Sequence, residues 1–210
     1  MHRRTVPLVI TNHMNRHQRH DEFEKPEAVD FSRRSFLKLS GFTFAGTVLA
    51  GCTQAQVDKA IPFLLASEKD LKQVAREIPR DVKILAEKFW PGALTLVVPA
   101  HSRVPRILIA YGDSVAVRVP NSDVTRALIK GLGAPLAATS ANISSQPDPQ
   151  TAEETAAYLN ERIPLILDGG ATPGNIPSTV LDLTTEPPTV RRVGAIAPEE
   201  IELALGRQLK

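Results

Sequence analysis

Cysteine is almost absent from this 210-residue chain. Cys52 stands alone, so neither an internal disulfide framework nor a Cys-x-x-Cys metal site can be built. No basic residue accompanies it locally, which removes it as a nucleophile candidate. Histidine is scarce where it would matter. Four of the five lie in the first twenty residues, leaving His101 by itself in the body. A histidine-based triad or zinc centre is therefore not expected, and no metal site is predicted. Aromatic residues make up only 5% of the chain, too few for a stacking platform. The formal net charge of +2 does not by itself mark a nucleic-acid binder. Neither Gly-x-Gly-x-x-Gly nor Gly-x-x-x-x-Gly-Lys-Ser/Thr is present, which removes two common nucleotide fingerprints. Proline, by contrast, is abundant at 17 residues and suits short strands broken by loops.

The first sixty residues differ from the rest. Residues 1–31 are polar and charged without apolar periodicity, which predicts a disordered tail. Residues 32–60 read as an export leader. Ser-Arg-Arg-Ser-Phe-Leu-Lys resembles a twin-arginine signal, and Leu49-Ala50-Gly51-Cys52 resembles a lipobox ending in a lipidatable cysteine. The apolar run between them is shorter than the roughly 20 residues needed to span a bilayer. The other reading is a buried amphipathic helix that happens to begin with two arginines.

From Ile61 to Lys210 the pattern predicts one α/β domain: a twisted, mixed open sheet with flanking helices. Helices are expected over SEKDLKQVAREI, capped by Ser67, over DVKILAEKF, and over NSDVTRALIKGLG. Two more are expected behind a Thr151/Glu154 capping box and from Pro198 onward. Strands are expected in ALTLVVPA, SVAVRVP, APLAATSAN, PLILDGG, STVLDL and TVRRVG.

Open α/β sheets place their sites at strand ends, and three segments carry polar residues there. Arg118 interrupts an apolar strand, and its planar fork suits a carboxylate or phosphate. The alternative is a surface arginine on the wet face of an edge strand. Thr139-Ser140-Ala141-Asn142 offers small side chains with hydroxyl and amide groups that could face a ligand, or a simple cap or turn. The loop from Gly169 leads into Ser178-Thr179 at a strand start, which taken singly is a turn. Arg103, Arg106, Arg191 and Arg192 could supply a modest phosphate-binding patch, so weak RNA contact is a further expectation.

The ordered set KFWPGALTLVV, VAVRVP, PLAATSANISSQPDPQTAEE, LDGG with PSTVLDL, and VRRVGAIAPEEI resembles the YrdC-like threonylcarbamoyl-AMP synthase family from about Ile61 to Leu205. The resemblance implies condensation of L-threonine, bicarbonate and ATP, with Mg2+ accompanying the ATP, into threonylcarbamoyl-adenylate and pyrophosphate. Downstream tRNA-modification proteins would consume that product. Carried over by position, Arg118 and Ser178 would hold threonine. Ser140, Asn142 and Arg192 would face the nucleotide, with Ser114 a weaker candidate on the same side; no catalytic residue is assigned. The family's Thr-x-Thr-x-Tyr-Gly-Leu stretch and Lys-x-Arg pair have no counterpart, so the YrdC-like fold is expected to be N-terminally incomplete. A cytoplasmic location follows, unless the leader is used and Cys52 anchors the chain to a membrane.

Overall fold

The computed structural model describes residues 61–210 apart from 111, 144–145, 160–161, 164 and 173–175. The expected tail (1–31), the leader (32–60) and Cys52 lie outside the described residues. Six strands form one sheet: β1 (Phe63–Leu64), β2 (Leu94–Pro99), β3 (Ser114–Arg118), β4 (Leu136–Ala137), β5 (Thr179–Asp182) and β6 (Thr189–Arg192), in the order β4-β1-β3-β2-β5-β6. β1 runs parallel to β3 and β2 parallel to β5, while the other neighbours are antiparallel. This is the mixed open sheet that the alternation of apolar runs implied.

Period-two alternation gives the sheet two unlike faces. Leu94, Leu96 and Val98 of β2, Val115 and Val117 of β3, and Leu181 of β5 are all 0% exposed. They form one core with Leu71, with Val82 and Leu85 of α1 (Arg80–Phe89), and with Ile201, which lies on a later helix. The intervening residues carry the polar side chains considered below.

The helices follow their caps. α2 (Asp123–Leu132) opens with Ser122 Oγ accepting the Thr125 amide at 3.2 Å. It closes on Gly133, whose φ of 68° a side chain would resist. α3 (Ala152–Leu159) starts behind Thr151, whose hydroxyl accepts the Glu154 amide at 3.2 Å. The Glu154 carboxylate reaches one residue further back than a capping box requires, accepting from the Gln150 amide at 2.6 Å. α4 (Pro198–Leu205) begins on the proline whose missing N–H the first turn does not need.

Two expectations are corrected. The segment from Ser67 forms only a 3-10 helix, Glu68–Gln73, even though the Ser67 amide and hydroxyl both donate to the Asp70 carboxylate. Beyond it the backbone joins the end of β2: His101 donates to Val74 O at 2.7 Å and Arg76 donates to Pro99 O at 2.9 Å. Tertiary pairing thus overrides helix propensity there. PLILDGG forms no strand among its described residues. The Asp168 carboxylate accepts from the Gly170 amide at 2.8 Å, a local turn that competes with ladder bonds.

Leu96 sits in a central strand with no exposed surface. Truncating Leu96→Ala leaves a cavity in the core and should lower stability by about 3 kcal/mol in urea unfolding. A loss below about 1 kcal/mol would contradict this account of the core.

Candidate active site

On the less buried face a single cross-strand row collects the site. Register pairs Leu136 with Leu64, Leu64 with Arg118, Thr95 with Val180, and Val180 with Arg192. Extending the β2–β3 register by one residue sets Thr95 opposite Arg118. Residues paired across a sheet share a face, so Arg118, Thr95 and Arg192 project the same way.

Hydrogen bonds tie the row together. Arg118 donates from Nε to Gly92 O at 2.7 Å. Arg192 donates to Ser178 O from Nε at 3.0 Å and from a terminal nitrogen at 2.9 Å, and that nitrogen also donates to Ser178 Oγ at 3.1 Å. Ser178 Oγ lies 2.8 Å from Thr95 Oγ1, and both hydroxyls are buried. Burial, and secondarily the nearby Arg192 charge, lower the Arg118 pKa from its ordinary value. Among the described residues neither Arg118 nor Arg192 has an acidic partner. Two neighbouring cations without a counter-ion make a receptor for an anion.

Ser178 is held from behind by the turn after β6. The Thr179 hydroxyl accepts from the Gly194 and Ile196 amides at 2.9 and 3.1 Å and donates to Ile196 O at 2.6 Å. A Cβ on Gly194 would stand 2.3 Å from Pro177 O and 2.5 Å from the Ser178 carbonyl carbon. Only glycine allows that approach.

The structure brings together Arg118, Ser178 and Arg192, three of the six candidates. Ser114 is not among them. It begins β3, opposite Pro99, at the far end of the sheet. There it lines a cleft of about 530 Å3 with Arg76, Asp113 and Thr184. β4 runs antiparallel to β1, with the Ala138 amide bonding Pro62 O, and no hydrogen bond among the described residues ties Ser140 or Asn142 to the arginine row. Asn142 spends its amide locally, donating to Gln146 O at 2.6 Å and to Asp148 at 3.1 Å. Spacing along the chain could not reveal which end of the sheet each segment reaches. Sequence reasoning passed over Thr95, whose signal was a lone hydroxyl within ALTLVV, and Gly194.

A family model described as "Telomere recombination", covering Sua5, YciO and YrdC, matches residues 50–194. The chain belongs to the Sua5/YciO/YrdC family. A threonylcarbamoyl-AMP synthase from Pyrococcus abyssi is 42% identical over 149 residues, covering 71% of this chain and 44% of that protein. One from Bacillus subtilis is 39% identical over 151 residues, covering 71% and 43% respectively. The crystal structure of Pyrococcus abyssi Sua5 complexed with L-threonine superposes with a TM-score of 0.70 at 36% identity, covering 84% of this chain and 48% of that one. The chain thus spans less than half the length of these relatives.

In this YrdC-like sheet the buried carboxylate Asp182 does not serve the arginine pair. Its Oδ1 accepts from the Thr184 amide at 2.8 Å and from the Thr184 hydroxyl; its Oδ2 accepts from Arg191 at 2.7 and 3.0 Å. Arg191 is therefore engaged rather than free to join a phosphate-binding patch. Burial alone would raise the Asp182 pKa, but the Thr184 hydrogen bonds and the Arg191 charge outweigh it and hold the carboxyl below its ordinary value. A depressed native pKa gives stability that is present above the unfolded pKa of about 3.9 and fades as pH falls through the native one. Thermal melts should therefore show stability declining below about pH 4, and Asp182→Asn should flatten that decline. An unchanged acid limb in Asp182→Asn would exclude this carboxylate as its source.

Proposed function

We propose that this domain makes L-threonylcarbamoyl-adenylate from L-threonine, bicarbonate and ATP, releasing pyrophosphate. The observation that carries the reading is the pair Arg118 and Arg192 on one sheet face, without an acidic partner among the described residues and with the Ser178 hydroxyl between them, in a chain 42% identical over 149 residues to a threonylcarbamoyl-AMP synthase. Arg118 and Ser178 receive the threonine carboxylate, and Arg192 faces the polyphosphate. The product's connectivity dictates the bonds made. The threonine nitrogen bonds the bicarbonate carbon with loss of water, and a carbamate oxygen displaces pyrophosphate at the α-phosphorus of ATP. Such a reaction asks for positioning and charge neutralisation more than for a titrating nucleophile, consistent with the scarcity of histidine and cysteine. Mg2+ enters with the ATP rather than through a protein cage. Ser140 and Asn142 face the nucleotide. The adenylate then passes to tRNA-modifying proteins, and the work is cytoplasmic, where ATP and tRNA are found. Export through residues 32–60 is the competing location, and cell fractionation separates the two.

Pyrophosphate release dependent on all three substrates tests the reaction. ATP binding without turnover would favour a nucleotide- or RNA-binding module instead. Arg118→Ala should lower kcat/KM about a hundredfold, equivalent to about 3 kcal/mol, and Arg118→Lys should restore little because an ammonium cannot reproduce the planar fork. Full activity in Arg118→Ala would remove this residue from the threonine site.

A further inference from the structure

Thr95 is buried in the middle of an apolar strand, 5% exposed, and its hydroxyl has a single partner among the described residues, Ser178 Oγ at 2.8 Å. Ser178 Oγ also accepts from Arg192 at 3.1 Å, and a guanidinium can only donate. The two hydroxyls hold two protons, and their mutual bond uses one. No carbonyl or carboxylate oxygen of the described residues takes the other. Left buried without an acceptor, that proton carries a desolvation cost.

We infer that Thr95 is a positioning residue that donates to Ser178 Oγ and so turns the Ser178 proton outward, toward an oxygen of an anionic ligand lying between Arg118 and Arg192. With Arg192 and Thr95 both donating into it, Ser178 has one role left, that of donor. Its O–H bond is polarised by the cation it accepts from. Arg118, Ser178 and Arg192 then present donors only, so the site favours a group whose oxygens only accept: a carboxylate or a phosphate, not an amide or an alcohol. In taking threonine as one such ligand the inference rests on the reading above, but the donor arrangement itself does not.

The test is calorimetric titration of the wild-type chain, Thr95→Val and Thr95→Ser with L-threonine and, separately, with inorganic phosphate, alongside thermal melts. Valine keeps the branched shape and removes the hydroxyl; serine keeps the hydroxyl. Binding should weaken about tenfold in Thr95→Val and stay within about threefold of wild type in Thr95→Ser. In turnover, Thr95→Val should raise the KM for threonine more than it lowers kcat. Should Thr95→Val fail to melt cooperatively, Thr95→Ala carries the same comparison. Wild-type-like affinity in the folded hydroxyl-free variant overturns the inference, as does equal loss in Thr95→Ser. Phosphate binding with this pattern but no threonine binding sinks the threonine reading and leaves the Thr95 role standing. Failure of the wild type to bind either anion overturns both.

Discussion

The constraint on which this structure turns is the two-residue alternation of three adjacent strands. Val115 and Val117 of β3 must meet Leu96, Val98 and Leu181 in a core from which water is excluded. That requirement leaves Arg118 no choice of face. The same alternation turns Thr95 away from Leu94 and Leu96, and β5 carries it on to the strand that holds Arg192. Burying one face therefore composes the other, and a pair of arginines without an acidic partner among the described residues arises as the complement of a hydrophobic core.

Much of this was legible in the residues. The strands β2, β3, β4, β5 and β6 and the four α-helices of the described residues announced themselves through apolar runs, caps and proline positions. What failed did so for identifiable reasons. The Ser67 helix stops early because β2 offers Val74 and Arg76 better partners than a further turn would. PLILDGG ends in a turn in which the Asp168 carboxylate takes the Gly170 amide.

Three of the six candidate residues meet on one face of the sheet. Arg118, Ser178 and Arg192 are 74 positions apart at most, and their meeting depends on β2 lying between β3 and β5. Ser114 was linked to them by its strand, but a strand has two ends, and Ser114 opens the five-residue β3 that Arg118 closes. The direction of β4, antiparallel to β1, is likewise encoded by no local pattern. Thr95 escaped notice because a hydroxyl in an apolar run reads as tolerated, when its value lies in a partner 83 residues away.

The irregularity between Val180 and Leu181 in the β5–β6 ladder has a further effect. Arg192 faces Val180, yet Val190, not Arg191, faces Leu181. In an unbroken ladder Arg191 would stand opposite Leu181 and be driven among side chains with no exposed surface. One surplus residue resets the parity of the strand, so that two consecutive arginines are both spared the interior. Arg191 is left to clasp Asp182 while Arg192 grips Ser178. The dipeptide Arg-Arg, which would ordinarily split between two sides of a sheet, is here made one-sided by a single miscounted step.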